Sequence, residues 1–372
     1  MNNRCSIASF PKKNHADAYL ELFYNELSKN GFDYLGEIQF SVKWFLTTGS
    51  KIDIYHIHWP ESMWRQYIPR FQSLLLKKNI FGSYFAYRKL RKIYELLGVV
   101  NFFFLLTIAK LKNKLILWTC HNIEPHEKPS LLDRYAYHLL AKVSDKIIVH
   151  GNSAFDGINK IYSPRCEVIN MNMGNFKDYY PVPGLRQHIF KKYDLKHDLP
   201  VVSCIGNIRE YKGIDLACKA VLPINKKINF IIAGRPSSDF NMEPLIKLVS
   251  KMENATIINH FLNDQEISDL FSITDIVMMP YKKITGSAII LNALTFGASV
   301  VTSDLPFFSE ILDGNENAGV VVKGKEANDY TKAILNILKI DKDERCRLAF
   351  HISEQYNWSD VIKPVIESIG YR

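Results

Sequence analysis

The sequence lacks paired cysteines, a secretory leader and any nucleic-acid-binding motif. Its six cysteines are scattered without paired spacing, which argues against a zinc knuckle and for reduced thiols in the cytosol. The amino terminus has no apolar core behind its few charges, so it does not have the pattern of a secretory signal. No helix-turn-helix, zinc finger or RNA-binding signature accompanies the basic residues. We therefore expect a protein that stays inside the cell, forms no disulfide and binds no nucleic acid.

Long apolar runs, internal repeats and low-complexity tracts are also missing. The longest apolar run, LLGVVNFFFLLTIAKLK, has about fifteen residues before lysines intervene, fewer than the about twenty that a transmembrane helix needs. It predicts a core helix or a helix at a membrane interface. Hydrophobic residues make up 47% of the chain and charged residues 23%, which is typical of a folded globular protein or one that lies on a membrane.

Apolar runs that alternate with helical patterns predict two sets of parallel strands. The first set is KIDIYHIHW, KLILWTCHN, DKIIVHGN and CEVINMNMG, and the second is VVSCIGN, INFIIAGR, ATIINHF, DIVMMPY and SVVTSD. Continuous apolar strands between helices are typical of parallel sheets covered on both faces. We predict an α/β chain of two doubly wound domains, residues 1–180 and 190–350. The boundary is placed where Pro181, Pro183 and Gly184 interrupt the periodicity.

A small-residue turn between an apolar strand and a helix predicts an anion site in the second half. The strand IVMMPY runs into TGSA, and the helix that follows ends in Gly297 before SVVTSD. Backbone N–H groups at a helix start lack partners and carry the positive end of the helix dipole. Gly286, Ser287 and Ala288 could therefore hold a phosphate, with Thr285 adding a hydroxyl donor.

A second strand of the same half ends beside two cations. VVSCIGN ends in Gly206 and is followed by a loop that contains Arg209 and Lys212. In doubly wound sheets, ligands bind in the crevice outside the carboxyl ends of the strands. Two cations at that place suit a diphosphate, and Arg235, which follows the strand INFIIAG, could approach a nucleotide.

These segments resemble the donor-binding half of the GT-B glycosyltransferases, two-domain enzymes that transfer sugars from nucleotide donors. In the large retaining family of that fold, the first segment normally reads G-R-L-x-x-x-K-G. Lys212 and Gly213 match its Lys-Gly, whereas Asn207 stands at the Arg position and Arg209 follows two residues later. The charge of Arg209 could substitute for the missing arginine.

The second segment departs further from that family. Ile284 and Asn292 stand where the family has two glutamates that contact the donor, so the resemblance leaves the donor sugar and the stereochemistry open. A branch of bacterial polysaccharide glycosyltransferases has a similar Y-x-x-x-x-G-S pattern, which begins at Tyr281 here, and an I-R-x-Y-K-G loop. The chain looks most similar to that branch.

The resemblance implies several further features. It implies a GT-B fold with two domains facing a cleft, a nucleotide diphosphate sugar as donor, and no metal or other cofactor. A helix within residues 351–372 would cross back onto the first domain. Glu310 falls where the family has a glutamate at or near the ribose, and His121 falls where the retaining enzymes have a loop histidine that contacts the donor sugar.

Histidines and glutamates follow two strands of the first half. KIDIYHIHWPE supplies His58 and Glu61, and KLILWTCHNIEPHE supplies His121, His126 and Glu127. If the strands are parallel neighbours, these groups share one sheet edge. In an inverting transfer, Glu61, His121 or Glu127 could take the proton of the acceptor hydroxyl, while His58 and His126 could orient the acceptor or the base. The spacing matches no recognised metal cage, so no metal is predicted.

Residues 64–114 predict a membrane-facing surface. Eleven basic residues stand there against the single acid Glu95, with Tyr, Phe and Leu between them: Arg65, Arg70, Lys77, Lys78, Arg88, Lys89, Arg91, Lys92, Lys110, Lys112 and Lys114. A basic, aromatic-rich helical stretch is typical of a surface that binds anionic lipids. A solvated helix face is the alternative.

The sequence therefore predicts a glycosyltransferase bound peripherally to the inner face of the cytoplasmic membrane. It would move a sugar from a nucleotide diphosphate sugar to a lipid-linked or growing saccharide in bacterial polysaccharide synthesis, such as that of O-antigen or capsule, with inversion favoured. Two alternatives remain open. One is an inactive nucleotide-sugar-binding or scaffold subunit of an assembly complex, and the other is a nucleotide-sugar epimerase of the same architecture.

Overall fold

A computed structural model describes residues 5–12, 17–38, 41–47, 49–65, 83–124, 129–315 and 317–370, without the side chains of 42, 43, 46, 50 and 83–91. The chain divides into two units. The first comprises Met1–Asn172 with Val361–Arg372, and the second comprises Met173–Asp360.

The first unit contains one sheet of six parallel strands. They are β1 Cys5–Phe10, β2 Phe32–Glu37, β3 Ile54–Ile57, β4 Leu115–Thr119, β5 Lys146–Val149 and β6 Glu167–Asn170, in the order β2-β1-β3-β4-β5-β6. Its helices are α1 Ala18–Lys29, α2 Val42–Thr47, α3 Glu61–Arg65, α4 Ser83–Leu111, α5 Leu131–Val143 and α6 Asn152–Tyr162, with a 3₁₀ turn at Gly49–Lys51.

The second unit contains another sheet of six parallel strands. They are β7 Val201–Ile205, β8 Asn229–Ala233, β9 Ala255–Ile258, β10 Ile276–Met279, β11 Ser299–Ser303 and β12 Gly319–Val322, in the order β12-β11-β10-β7-β8-β9. Its helices are α7 Arg186–Lys192, α8 Ile214–Val221, α9 Glu243–Val249, α10 Asp264–Ile273, α11 Ala288–Thr295, α12 Pro306–Leu312, α13 Ala327–Ile337 and α14 Lys342–Glu354, followed by α15 Trp358–Val361, with 3₁₀ turns at Glu210–Lys212 and Leu222–Ile224. The chain re-enters the first unit at Val361, where α16 Lys363–Gly370 follows and Ser368 Oγ donates to Glu167 (2.8 Å).

Both sheets have the doubly wound topology that the sequence predicts. In each, the strand order reverses at one point, between β1 and β3 in the first sheet and between β7 and β10 in the second. Ligands of such folds bind outside the carboxyl ends of the strands at this point. The predicted strand, helix and strand at 276–303 are confirmed as β10, α11 and β11.

Three strands, β1, β2 and β12, are not among those that the sequence predicted. β1 contains two serines, and Ser6 Oγ donates to Asp53 (2.7 Å) while Ser9 Oγ bonds Tyr34 Oη (2.9 Å). β2, FDYLGE, exposes part of its length, and β12 is only four residues long. Serines interrupt the apolar run of β1, although hydrogen bonds to distant residues allow them to lie in a strand. A hydrophobicity pattern therefore does not reveal such a strand.

The apolar run lies in helix α4 and is longer than the sequence analysis assigned. Within it, the 20 residues Lys92–Leu111 have a mean hydropathy of 1.6 and are long and apolar enough to cross a membrane, by length and composition only. The count of about fifteen was too low, because it ended at charged residues that such a window tolerates near its ends. One side of α4 packs in the core of the first unit, through Val99, Phe102, Leu105, Leu106 and Ala109.

Several members of the basic stretch are neutralised within the first unit, which the sequence did not predict. Arg65 pairs with Asp133 (2.6 Å) and Lys110 with Asp145 (2.5 Å), and Lys114 lies 4.0 Å from Asp53. These acids lie outside residues 64–114 and approach only through folding. The part of the stretch at 66–82, and the side chains of 83–91, lie outside what the structure describes.

Candidate functional site

The first candidate site lies where the strand order of the second sheet reverses. β7 and β10 are adjacent parallel strands, so the loops that follow them, Gly206–Gly213 and Pro280–Ser287, start at the same edge. The Lys282 amide donates to the Tyr211 carbonyl (2.7 Å), and the Lys282 ammonium pairs with Glu210. The two loops that the sequence marked for donor binding are thus joined by main-chain and side-chain contacts.

Lys212 is the central cation of this site. It is only 8% exposed, and its Nζ lies 5.6 Å from the ring centroid of Tyr281, itself buried. Burial, followed by the charge of Arg209, lowers the pKa of Lys212 to about 8. Among the ion pairs of the described residues, none includes Lys212. A buried cation beside a like charge requires an anionic partner, so this loop is suited to a bound anion.

Two glycines of the Lys212 loop have positive φ angles, and one of them lies against the second loop. Gly213 has φ +62°, and a Cβ added there would lie 2.1 Å from the Pro280 carbonyl oxygen. Gly206 has φ +100°, and its added Cβ would lie 2.8 Å from Lys212 Nζ. At Gly213, the left-handed conformation and the contact with a main-chain oxygen together exclude a side chain. At Gly206 the positive φ favours glycine, whereas the contact is with the end of a flexible side chain, which can move.

The predicted phosphate turn is the start of α11. Ser287 is the N-cap, and its Oγ accepts a hydrogen bond from the Ile289 amide (3.3 Å). Thr285, Gly286 and Ala288 are partly exposed, and an added Cβ on Gly286 would meet no atom within 4 Å. The turn therefore leaves room next to the helix start, as an anion site requires.

The other predicted donor residues lie at the same strand ends or near them. Arg235 is exposed just after β8, and its carbonyl accepts from the Ile208 amide (2.9 Å). Glu310 is partly exposed in α12. Asn292, at the position of the second glutamate of the resembling family, is buried in α11, and its Nδ2 donates to Tyr180 Oη (3.3 Å).

The second candidate site is at the carboxyl ends of β3 and β4 in the first unit. The two strands are parallel neighbours, as the prediction required. His58 Nδ1 lies 3.0 Å from His121 Nε2, and the Trp59 ring stacks on His121 with centroids 4.4 Å apart and planes 5° apart. The structure therefore brings two of the predicted residues together and stacks the ring of Trp59, which follows the same strand as His58, on one of them.

Glu61 has a different environment from these histidines. It begins α3, and its carboxylate accepts a hydrogen bond from Tyr137 Oη (2.6 Å). Tyr137 belongs to the core with Trp64 and Trp118, whereas His56 and His58 bond to Tyr24 of α1. Burial raises the pKa of Glu61 above its ordinary value. His126 and Glu127 lie outside the described residues.

His56, from the same strand as His58, and residues that the sequence did not single out for the site connect the histidines to the rest of the first unit. Tyr24 Oη bonds both His56 Nδ1 (2.7 Å) and His58 Nε2 (2.8 Å), and His56 Nε2 bonds Thr119 Oγ1 (2.7 Å). His150 donates from Nδ1 to the Met171 carbonyl (3.0 Å). Tyr24 lies on the apolar side of α1, where a tyrosine has the pattern of an ordinary core residue.

Among the described ranges, no group of three or more His, Cys, Asp and Glu side chains has the arrangement of a metal site. The polar groups at the two sites are instead cations, histidines and helix-start amides. Cations and helix-start amides bind anions, and histidines can accept hydrogen bonds from hydroxyls or donate hydrogen bonds to them.

Comparison with known proteins places the second unit in a family. Residues 186–349 match the model described as "Glycosyl transferases group 1". They form a glycosyl transferases group 1 domain. The whole chain also shares its fold with HepE from Anabaena, solved in complex with UDP and glucose, with a TM-score of 0.69 over 98% of this chain and 99% of that one at 12% identity. The predicted GT-B fold is therefore confirmed.

Two curated relatives match parts of this chain. The lipopolysaccharide core biosynthesis mannosyltransferase LpsB of Rhizobium meliloti (strain 1021) is 31% identical over 155 residues, which cover 40% of this chain and 43% of LpsB. The O-antigen biosynthesis glycosyltransferase WclY of Escherichia coli is 28% identical over 123 residues, 33% of this chain and 34% of WclY. The matched segments thus span less than half of these relatives.

Proposed function

We propose that the protein is a glycosyltransferase that moves a sugar from a nucleotide diphosphate sugar to a lipid-linked or growing saccharide. The observation that supports this most directly is the buried Lys212 beside Arg209, at the point where the second sheet reverses its strand order. A diphosphate would supply the negative charge that this pair of cations needs. The group 1 domain covers the same loops.

The comparisons support the donor class and the biological setting. HepE was solved with UDP and glucose, and the two relatives are named for lipopolysaccharide core and O-antigen biosynthesis. We propose a nucleotide sugar as donor and a bacterial surface polysaccharide, O-antigen or capsule, as the product.

The proposed reaction is a metal-independent displacement in which inversion is favoured. An acceptor hydroxyl oxygen forms a bond to the anomeric carbon, the bond from that carbon to the diphosphate oxygen breaks, and the hydroxyl proton passes to a base. Lys212, Arg209 and the amides at the start of α11 would stabilise the leaving diphosphate. We assign the base to His121, because the carboxylate of Glu61 is held by Tyr137 (2.6 Å).

A thermal-shift panel tests the donor site. We expect one of UDP, GDP, TDP and ADP to raise the melting temperature, because a ligand at 100 times its Kd stabilises the native state by about 2.7 kcal/mol. Lys212→Ala should lose this shift. Lys219→Ala is the matched control, since Lys219 is an exposed lysine of α8 that lies 3.7 Å from Asp215. No shift with any nucleotide would contradict the proposal, and a shift without turnover would favour the inactive scaffold subunit.

We also propose that the first unit lies on the inner face of the cytoplasmic membrane through the exposed side of α4. Apolar side chains recur there at helical spacing, each between 49% and 59% exposed: Ile93, Leu96, Leu97, Val100 and Phe104. They lie opposite the side that packs in the core, and Lys92 is exposed beside them. An apolar stripe next to a basic segment is the arrangement of an interfacial helix.

Vesicle binding tests this surface. The wild type should sediment with vesicles of phosphatidylglycerol and phosphatidylethanolamine, and less so at high salt. The double variant Leu97→Asp, Val100→Asp should bind at least about 10-fold more weakly, because a buried aliphatic side chain contributes about 1.5 kcal/mol or more. Val182→Asp, an equally polar change at an 86% exposed position of the second unit, is the control. Unchanged vesicle binding would contradict the proposal, as would a concentration-dependent dimer that the double variant abolishes.

A further inference from the structure

A continuous hydrogen-bond chain runs through the first unit to His121. It consists of Thr119, His56, Tyr24, His58 and His121, and we call it the Tyr24 chain. Its four contacts are 2.7, 2.7, 2.8 and 3.0 Å long, in that order. The members come from α1, from β3 and the residue after it, and from β4 and the second residue after it.

The Tyr24 hydroxyl determines the direction, from donor to acceptor, of the hydrogen bonds in the Tyr24 chain. Its hydroxyl contacts a ring nitrogen of His56 on one side and of His58 on the other. A hydroxyl has a single proton, and a neutral imidazole has one N–H and one lone pair. Tyr24 therefore donates to at most one of the two histidines. When it donates to one and accepts from the other, both histidines carry the proton on the same ring position, either Nδ1 or Nε2, so their tautomers are coupled.

The direction of the hydrogen bond between Tyr24 and His58 determines which ring nitrogen of His121 carries the proton. If Tyr24 donates to His58 Nε2, His58 carries its proton on Nδ1 and donates to His121 Nε2, so the proton of a neutral His121 is on Nδ1. If the direction is reversed, His121 donates from Nε2 to His58 Nδ1, and its own Nδ1 has the lone pair. Each direction allows one tautomer of His121.

The surroundings keep the chain neutral and in place. Burial, with His150 nearby, lowers the pKa of His56 to about 3, and burial raises the pKa of Tyr24 well above its ordinary value. The Tyr24 ring stacks on Tyr34 with centroids 3.7 Å apart and planes 2° apart. Near neutral pH, Tyr24 therefore keeps its hydroxyl proton and His56 stays neutral. The stacked ring holds the hydroxyl in a fixed position.

We propose that Tyr24, acting through His58, is a positioning residue that fixes which nitrogen of His121 carries the proton. A single tautomer would present His121 to the saccharide either always as a hydrogen-bond acceptor or always as a donor. The inference rests on the proposed transferase function only for this consequence at the substrate. The hydrogen-bond logic itself concerns the protein without ligand.

Nitrogen NMR of histidine-labelled protein tests the proposal. In the wild type, His121, identified by comparison with His121→Asn, should show one protonated and one unprotonated ring nitrogen. In Tyr24→Phe, both nitrogen shifts should move towards their common mean, because the ring now exchanges between tautomers. Tyr55→Phe is the matched control, since it removes another tyrosine hydroxyl of the first unit, which donates to the Gly49 carbonyl (2.7 Å) rather than to a member of the Tyr24 chain, and should leave the spectrum unchanged.

A second variant distinguishes an effect on the tautomer of His121 from a general loss of the fold. His58→Asn keeps an amide near the position of Nδ1 but loses the nitrogen that meets Tyr24, so it should show the same mixing as Tyr24→Phe. Nucleoside diphosphate release should fall on the order of 10-fold in kcat for Tyr24→Phe, as for outer-shell partners of other functional histidines, with KM for the donor unchanged.

Mixed tautomers in the wild type, or an unchanged His121 spectrum in Tyr24→Phe, would overturn the inference. The two proposals fail separately. Tautomer mixing in a protein that binds no nucleotide would support the Tyr24 chain and contradict the transferase, whereas normal turnover with wild-type kcat in Tyr24→Phe would contradict the Tyr24 chain alone.

Discussion

Replacing Lys212 with alanine is expected to lower kcat/KM by about 10²- to 10³-fold, the loss typical when one preorganised charge-stabilising group is removed. Lys212 is the buried cation of the two loops that we propose to bind the donor, and its positive charge would stabilise the negative charge that develops on the departing diphosphate. The measurement is nucleoside diphosphate release from the nucleotide sugar of the base selected in the thermal-shift panel, with octyl glycosides as acceptors.

A second substitution at this position isolates the charge. Lys212→Met keeps an unbranched stem that can pack against Tyr281, so it should lose as much activity as Lys212→Ala while it retains more stability. If Lys212→Met were active, the ammonium would not be needed and the proposed role would be wrong. Lys219→Ala should keep the wild-type rate.

Lys212 also sets an expected alkaline limit. Burial and Arg209 lower its pKa from 10.5 to about 8, so donor binding should weaken as the pH rises through about 8 and the ammonium loses its proton. The stability of the ligand-free protein should respond in the opposite direction. Between about 8 and 10.5 the unfolded chain binds more protons at this residue than the native one, so this contribution to stability rises with pH. Lys212→Met should remove both effects.

His121→Ala is expected to lower kcat by about 10²- to 10⁴-fold, the range for loss of a general acid or base. The thermal shift with the nucleoside diphosphate should persist, because His121 lies in the first unit and the phosphate loops lie in the second. The assay is the same release of nucleoside diphosphate with octyl glycosides.

Glu61→Gln provides the competing test for the base. Glutamine keeps the length of the side chain and can still accept a hydrogen bond from Tyr137. A loss of rate in Glu61→Gln as large as that in His121→Ala, or an active His121→Ala protein, would show that His121 is not the base. A protein that releases no nucleoside diphosphate at all, but interconverts nucleotide sugars, would instead be the epimerase.

The sequence predicts the parts of this structure that depend on local pattern. The buried parallel strands from β3 to β11 follow from continuous apolar runs, and the start of α11 follows from its small residues. The Lys212 loop was also predicted, because glycine and cations directly follow a buried strand. These features are encoded within about ten residues of chain and need no tertiary information.

The remaining features depend on contacts between distant residues. Tyr24 meets His56 and His58 across 32 and 34 positions, and nothing in the pattern of α1 marks it as more than a core tyrosine. Asp133 neutralises Arg65 from 68 positions away. Glu61 follows the same strand as His58, yet its carboxylate meets Tyr137, because the chain has already turned into α3. Sequence order therefore places these groups near the site without fixing their partners.

The contact between Gly213 and Pro280 limits which residues of the proposed donor site can be replaced. An added Cβ at residue 213 would lie 2.1 Å from a main-chain oxygen, so a library at that position would return mostly misfolded protein, whichever sugar is selected. At residue 286 an added Cβ would meet nothing within 4 Å. Directed evolution of donor preference should therefore vary Thr285 and Gly286, and keep the Lys212–Gly213 pair as invariant scaffold.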